Sequence, residues 1–247
     1  MNRKRSKYFI TSSKKKIRYL FIKKNSPITV VFFHGFMSDM IGAKPAAIQK
    51  FCRKQKLNFL KFEYSGHGKS TGKFINGNIS KWTSEAKQLI KSKIKKNKNL
   101  FFIGSSMGSW IALNLFQFFK KQIKGFIGIS SAPEFLEELM WKKFNKKIKK
   151  TIMDKKIYHL DQGEFTYPLT KQLILDGRKN KVLNNKINLK IPIVLFHGTN
   201  DEVVPVNFSR KIFKIFKKSK KKLVKIKNGD HSLSKKSDLK KIKIYFL

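Results

Sequence analysis

The stretch FFIGSSMGSWIAL, residues 101–113, places a serine between two glycines where a strand-like run gives way to a helical pattern. Its pentad GSSMG, residues 104–108, fits the pattern G-x-S-x-G, in which the glycines relieve crowding at a sharp turn from strand to helix. Ser106 is the serine at the centre of that pattern. The stretch therefore predicts either a catalytic nucleophile or a tight turn without chemistry, and the partners of Ser106 must decide between them.

The rest of the chain alternates between strand-like runs and helical patterns. This alternation predicts βαβ units in an α/β fold, with a mostly parallel central sheet and helices on both faces. The basic opening segment is interpreted as two strands, and the further predicted strands are 28–33, 57–64, 100–104, 125–130, 191–198 and 222–226. The predicted helices are 45–55, 81–95, 106–119, 206–216 and 234–246. We expect one domain over residues 1–247.

The pattern loosens between the fourth and fifth of the later strands, over approximately residues 132–190. Within this segment, PEFLEELMWKKF (133–144) predicts an amphipathic helix and YHLDQGEFTYPLT (158–170) is interpreted as irregular. About sixty residues is long for a plain connection. We therefore expect a small lid insertion above the edge of the sheet where sites form.

The charge of the chain is unusual. It carries 57 Lys and Arg against 14 Asp and Glu, which gives a formal net charge of +43. Such a surface attracts polyanions, so a nucleic-acid-binding protein on the same scaffold is one alternative. The lysines are spread over every segment rather than gathered beside aromatic residues, which favours compositional bias. We expect no specific nucleic-acid partner.

Location is predicted from two features. Cys52 is the one cysteine, which excludes an internal disulfide and fits a reducing compartment; we expect it in the core. The opening lacks the apolar run of a signal peptide, so the cytosol is expected, with the mitochondrial matrix as the alternative because the opening is basic and free of acidic residues. Residues 100–119 carry no charge, but their glycines and polar side chains favour a buried strand and helix over a transmembrane segment.

A serine hydroxyl needs an imidazole to remove its proton and a carboxylate to orient that imidazole. HGTNDEVVP (197–205) places Asp201 directly after one predicted strand, and NGDHSLS (228–234) places His231 after the next. The carboxyl ends of parallel strands meet at one edge of a sheet, where Ser106 also lies. We therefore predict a triad of Ser106, Asp201 and His231, with Glu202 and Asp230 as competitors for the acid.

The four other histidines receive other interpretations. His197 begins the loop of Asp201 and is expected to brace its turn, and His34 is expected to shape the loop before Gly35. His159 has no evident partner. His67 lies in the glycine-rich YSGHGKS (64–70), but the spacing matches neither phosphate-loop pattern.

An acyl-transfer site also needs N–H groups that stabilise the oxyanion. The N–H of Met107 lies at the start of the predicted helix, where free amides and the helix dipole favour negative charge. A second donor is expected from the loop FFHGF (32–36), with Phe36 as the favoured group. These two N–H groups are the predicted oxyanion hole.

With these motifs in order, the sequence resembles the α/β-hydrolase superfamily over nearly its whole length. The stretches FFHGFMSDMIGAKPAAIQKFC (32–52), FEYSGHGKSTG (62–72) and IGSSMGSWIAL (103–113) resemble the branch of the mitochondrial palmitoyl-protein thioesterase that also cleaves acyl glucuronides, together with its bacterial relatives. The resemblance implies an esterase or thioesterase that works through an acyl-enzyme on Ser106 and needs no metal or cofactor. Its substrates would be small esters or thioesters, or an acylated protein.

The acyl group of such a substrate would need a pocket. Phe135, Leu136 and Met140 are the candidates from the lid, beside Phe36 and Met107, and simple packing is the alternative for each. Trp110 is expected in the core. A proline-directed serine peptidase would carry the same triad and remains an alternative function.

Overall fold

A computed structural model describes residues 6–96, 98–162 and 165–244. In this part of the chain, eight strands form one sheet in the order β1-β2-β4-β3-β5-β6-β9-β10, and β7 and β8 form a separate hairpin. The strands are β1 (Lys7–Ile10), β2 (Lys16–Ile22), β3 (Ile28–Phe33), β4 (Asn58–Phe62), β5 (Asn99–Ser105), β6 (Ile123–Ile129), β7 (Ile157–Gln162), β8 (Phe165–Thr170), β9 (Ile193–Gly198) and β10 (Lys221–Ile226).

The sheet is parallel from β4 to β10, and among the described strands the antiparallel pairs are β1 with β2 and β2 with β4. Successive side chains of a strand point to opposite sides of the sheet, and here both sides are buried in a core cluster. Val31 and Phe33 of β3 join the larger core cluster, whereas Val30 and Phe32 join the smaller cluster on the other face. The predicted mostly parallel sheet with helices on both faces is confirmed.

The helices divide between those two faces. Helices α2, α3 and α6 contribute to the larger cluster, and α1 and α7 contribute to the smaller one, where the predicted core residue Cys52 is fully buried. The helices are α1 (Ala43–Lys54), α2 (Ile79–Lys93), α3 (Met107–Phe119), α4 (Lys146–Lys155), α5 (Lys171–Lys179), α6 (Asn207–Ile215) and α7 (Lys236–Ile244). The five predicted helices are present with ends shifted by up to two residues. The predicted end of the last one lies outside the described residues, as do residues 1–5 of the opening segment.

The lid segment differs from its predicted structure. Residues 133–144 do not form an amphipathic α-helix: they form a π-helical turn, Leu136–Met140, followed by a 3-10 turn, Trp141–Lys143. Glu134 lies just before these turns with φ of 59°, which breaks a regular helix, because few residues other than glycine adopt that conformation. Helices α4 and α5 were not predicted.

The segment 158–170, interpreted above as irregular, belongs to the β7–β8 hairpin. Its strands pair antiparallel, with Tyr158 opposite Leu169 and Leu160 opposite Tyr167. Residues 163 and 164, between the strands, lie outside the described residues.

No helix in the described part of the chain has the length and apolar character needed to cross a membrane. The uncharged run 100–119 is instead divided between β5 and α3, both of which are largely buried. This agrees with its interpretation as a buried strand and helix.

Candidate active site

Ser106 lies in the tight turn between β5 and α3. Its φ of 51° and ψ of −120° belong to a conformation that residues with a side chain rarely adopt. Two hydrogen bonds hold this backbone: the Ser106 N–H donates to Ile129 O at 2.9 Å, and Ser106 O accepts from the Ser109 N–H at 3.0 Å. The neighbouring strand and the following helix thus fix the strained residue from both sides.

The glycines that flank Ser106 are required by close backbone contacts. A Cβ on Gly104 would lie 2.4 Å from Ser109 Cα, and a Cβ on Gly108 would lie 2.2 Å from Phe33 O. Both distances are shorter than any van der Waals contact. The glycines therefore let α3 start directly against β3 and β5, which places the Ser106 hydroxyl at the carboxyl end of the sheet.

A chain of hydrogen bonds joins the three predicted triad residues. His231 Nε2 lies 3.1 Å from Ser106 Oγ. His231 Nδ1 lies 2.9 Å from Asp201 Oδ2 and 3.1 Å from Asp201 Oδ1. With the proton on Nδ1 bonded to the carboxylate, Nε2 is free to accept the proton of the serine hydroxyl.

Asp201 is held as a carboxylate. Burial alone would raise its pKa, but the hydrogen bond and the charge of His231, together with the Val204 N–H, lower the pKa below its ordinary value. Its Oδ1 accepts from the Val204 N–H at 2.8 Å and from the Val203 N–H at 3.1 Å. The loop after β9 thus orients Asp201 before any substrate arrives.

The hydrogen bonds of the His231 imidazole join it to Asp201 and Ser106, and not to either competing acid. Glu202 is exposed, and Asp230 uses its Oδ1 to accept from the Leu233 N–H at 2.8 Å within the loop of His231. The carboxylate that contacts the imidazole is that of Asp201.

His197 supports the Asp201 loop from below. Burial lowers its pKa, so the ring is neutral: its Nε2–H donates to Val204 O at 2.7 Å, and its Nδ1 accepts from Ser209 Oγ at 3.0 Å. A contact of 3.4 Å between Nε2 and Asp201 Oδ2 is secondary to these bonds. This arrangement fits the predicted role of His197 as a brace.

Two further histidines pack behind the site, and a third is remote from it. Burial lowers the pKa of His34 well below its ordinary value, and this ring bonds Gly35 O through Nδ1 at 2.8 Å. His67 bonds Ser65 O at 3.2 Å, and its ring lies among those of His34, Tyr64, Phe74 and Trp82. His159 is exposed on β7 of the lid.

The two predicted oxyanion donors belong to segments next to Ser106. Met107 is the first residue of α3, and the first N–H groups of a helix have no partner within it. Phe36 follows Gly35 in the loop after β3, where a Cβ on Gly35 would lie 3.4 Å from Ser106 Cβ. The close approach of this loop to the serine is what a second donor requires.

A cavity of about 840 Å³ opens above Ser106 and His231. Phe36, Phe135 and Met140 line it, as expected for an acyl pocket. Leu136 does not: the prediction was wrong, because the π-helical turn directs it to the core, where its side chain packs near Gly177 and is 1% exposed. The Met107 side chain is likewise buried in the core, so only its N–H remains relevant to the site.

Other cavity residues were not predicted from the sequence. Leu160 and Tyr167 come from the hairpin, and Lys44 comes from the start of α1. For the hairpin a signal existed, since apolar residues alternate at 158 and 160 and again at 165, 167 and 169 around a glycine. The predicted core residue Trp110 is fully buried, and its Nε1–H donates to Asn180 O at 2.7 Å.

Two family models match the chain. A model described as serine aminopeptidase, S33 (Hydrolase_4) matches residues 25–172, which is more than half of the chain. A model described as phospholipase/carboxylesterase (Abhydrolase_2) matches residues 174–245. The first match contains Ser106, and the second contains both Asp201 and His231.

Individual proteins resemble the chain over most of its length. The palmitoyl-protein thioesterase ABHD10, mitochondrial, of Bos taurus is 26% identical over 229 residues, which cover 90% of this chain and 72% of the relative. A putative hydrolase from Agrobacterium vitis S4 superposes with a TM-score of 0.91 at 26% identity, covering 98% of this chain and 97% of the other. Mouse α/β hydrolase domain-containing protein 10 superposes with a TM-score of 0.87 at 23% identity, covering 98% and 96%.

Proposed function

We propose a function from one premise: the chain belongs to the Hydrolase_4 family, whose model is described as serine aminopeptidase, S33, and it has the α/β-hydrolase fold. The protein is a serine hydrolase that cleaves carboxylic esters or thioesters. The observation that carries this conclusion is the chain of hydrogen bonds from Asp201 through His231 to Ser106. The thioesterase named among its relatives supports the substrate class.

The first half of the reaction forms an acyl-enzyme. His231 Nε2 takes the proton of Ser106 Oγ as that oxygen attacks the substrate carbonyl carbon. The carbonyl oxygen becomes an oxyanion, which the N–H groups of Phe36 and Met107 stabilise. The carbonyl then reforms, the bond to the leaving oxygen or sulfur breaks, and the imidazolium gives its proton to the leaving group.

The second half of the reaction releases the acid. His231 takes a proton from water, the resulting hydroxide attacks the acyl carbon, and a second oxyanion forms in the same hole. When this intermediate collapses, the proton returns from His231 to Ser106 Oγ. Asp201 stabilises the imidazolium in both halves and remains a carboxylate throughout, which is consistent with its lowered pKa.

Different sides of the cavity accommodate the acyl group and the leaving group of the substrate. Aromatic and aliphatic side chains line one side, and Phe36 stands among them: its ring lies 5.2 Å from Phe135 and 5.9 Å from Tyr167. We assign the acyl group to this apolar side. Because His231 must protonate the leaving group, that group lies beside the loop of His231, where Ser232 and Ser234 line the cavity.

The substrate is thus a small ester or thioester, or an acylated protein whose acyl group enters the cavity. We propose that residues 132–190 act as a lid over this cavity within a single domain of 247 residues. The cytosol remains the predicted location. The mitochondrial relatives support the alternative, the mitochondrial matrix.

Aminopeptidase activity is the second candidate, because the matching family model is described by that activity. Such an enzyme needs a carboxylate to bind the substrate's ammonium group. Among the described residues, three carboxylates line the cavity: Asp39 accepts from the Ile41 N–H, Asp161 accepts from Thr166 Oγ1, and Glu202 is exposed. The thioesterase among the relatives favours the ester or thioester, and the choice of substrate tests the peptidase.

A fluorophosphonate probe tests the proposal directly. Wild type should be labelled and Ser106→Ala should not, and the same variant should lose about 10⁴-fold or more in kcat on p-nitrophenyl acetate. Ser84→Ala, in α2 and remote from the cavity, is the control. Equal labelling of wild type and Ser106→Ala would overturn the assignment, and faster turnover of aminoacyl-p-nitroanilides than of esters or acyl thioesters would favour the peptidase.

A further inference from the structure

Lys44 has an unusual environment for a lysine of this chain. It is the second residue of α1, where the helix dipole disfavours a positive charge, and it is only partly exposed. Burial lowers its pKa, and the charge of Asp230 opposes this effect in part. A lysine in such a place differs from the solvated lysines that dominate the surface, so its contacts need an explanation.

Those contacts all lie in the loop that carries His231. Lys44 Nζ donates to the main-chain carbonyl of Ser232 and to Ser234 Oγ, the latter at 3.1 Å. The two partners lie one and three residues after His231 in the chain. Lys44 also lines the cavity, eight residues after Phe36, so it ties the loop of the proposed oxyanion donor to the loop of the proposed base.

The rest of the His231 loop shows why this tie matters. Within the loop, Ser232 Oγ bonds Ser234 Oγ at 2.6 Å, and Asp230 closes a turn onto the Leu233 N–H. On one side the loop is held by Asn200, whose N–H donates to Gly229 O at 2.9 Å. On the far side of His231, the bonds from Lys44 hold the loop to α1.

We propose that Lys44 is a positioning residue for His231: its ammonium group fixes the two residues that keep the imidazole within reach of Ser106. This inference rests on the proposed function. Lys44 touches no reacting atom in this role. Its loss would let the imidazole shift from its 3.1 Å contact with the serine hydroxyl, and a displacement of about 1 Å can cost about 100-fold in rate.

The test uses p-nitrophenyl acetate, which carries no charged group that a lysine could bind before the reaction. Lys44→Met should lower kcat by about 10- to 100-fold and change KM by less than about 3-fold. Lys50→Met, which removes an exposed lysine of the same helix, is the matched control and should retain wild-type kcat. Thermal unfolding of both variants separates a loss of kcat from a loss of folded protein.

A double-mutant cycle sharpens the test. Ser234→Ala removes one acceptor and should lower kcat by a smaller factor, and the double variant should lose less than the product of the two single losses. If Lys44→Met does not fold, Ser234→Ala and Lys44→Arg carry the test: the first should lose kcat and the second should retain most of it, because it keeps the charge and the donors.

The outcomes separate this inference from the proposed function. If wild type is active, Ser106→Ala is inactive and Lys44→Met equals Lys50→Met in kcat, only the role of Lys44 is overturned. A rise in KM at constant kcat would also overturn it, since that pattern marks substrate binding. If wild type and Ser106→Ala behave alike, the proposed function itself fails.

Discussion

The parallel sheet and the lid line the same cavity but are held together by different interactions. In the sheet, fully buried rings pack edge to face: Phe33 lies 5.0 Å from Phe102 and 5.6 Å from Phe62. The lid residues 132–190 also bury apolar side chains in the core, such as Leu136 and Leu173, but add polar contacts with the body, such as Asp176 with the Ser80 N–H at 2.8 Å. Packing within the sheet fixes the chemistry, whereas the lid shapes the substrate side.

The largest contrast is expected between the buried aspartate of the proposed triad and an aspartate that lines the cavity. Asp201→Asn, in the body, should lower kcat by about 10⁴-fold, because an amide no longer holds the imidazole tautomer that accepts the serine proton. Asp161→Asn, in the lid, should change kcat by less than about 5-fold, since Asp161 bonds Thr166 at 2.6 Å and only lines the cavity. Steady-state kinetics on p-nitrophenyl acetate measures both.

Glu202→Asn and Asp230→Asn complete this comparison as controls for the choice of acid. If either lowered kcat as much as Asp201→Asn does, the acid of the triad would have to be reassigned.

Two helical glycines provide the second contrast. In an ordinary helix, Gly→Ala adds about 1 kcal/mol of stability. Gly108→Ala should instead cost about 1–3 kcal/mol and lower kcat by about 100-fold, because its Cβ would meet Phe33 O at 2.2 Å and displace Ser106. Gly177→Ala in α5 should be close to neutral, since its Cβ would meet side-chain atoms at 3.2 Å. Urea unfolding and kcat measure both.

A stabilising effect of Gly108→Ala would mean that the turn at Ser106 is less tightly packed than the structure indicates. Steric crowding would then not distinguish Gly108 in the sheet region from Gly177 in the lid.

The same contrast explains which parts could be predicted from the sequence. The run before Ser106 and the glycines around it encode local geometry, because a strand, a strained turn and a helix must follow one another within a few residues. Asp201 and His231 could be placed because each follows a strand, and parallel strands deliver their carboxyl ends to one edge. The chain order serine, acid, histidine then supplied the roles.

The lid was predicted poorly for a physical reason. Residues 136–140 form a π-helical turn whose neighbours decide its direction, so Leu136 faces the core while Phe135 and Met140 line the cavity. Periodicity cannot distinguish these outcomes. The contacts of Lys44 could not be predicted from the sequence either, because its partners lie 188 and 190 residues away in the chain.

The third contrast is between a buried and an exposed histidine, and it concerns the stability of the protein at acidic pH. Burial lowers the pKa of His67 to about 4. Between pH 6.5 and about 4, the unfolded chain binds a proton on this residue and the folded chain does not, so stability falls as the pH falls, by up to about 3 kcal/mol. His67→Gln should flatten this part of the stability profile, although buried His34 and His197 retain their share.

His159→Gln, on the exposed lid strand, is the matched control and should leave the profile unchanged. Urea unfolding at several pH values gives the comparison. An unaltered slope in His67→Gln would mean that His67 binds its proton in the folded protein as readily as in the unfolded chain.

The smallest effect is expected within the lid itself. Met140→Ala should raise KM about 3- to 10-fold for long acyl thioesters and leave kcat for p-nitrophenyl acetate unchanged. Met140 lines the cavity, burying each methylene contributes about 0.8 kcal/mol, and we expect an acetyl group to be too short to reach this side chain. Leu175→Ala, also in the lid but outside the cavity, should alter neither value. Equal losses for short and long acyl groups would mean that Met140 supports the catalytic residues. The lid, like the sheet, would then help to fix the chemistry.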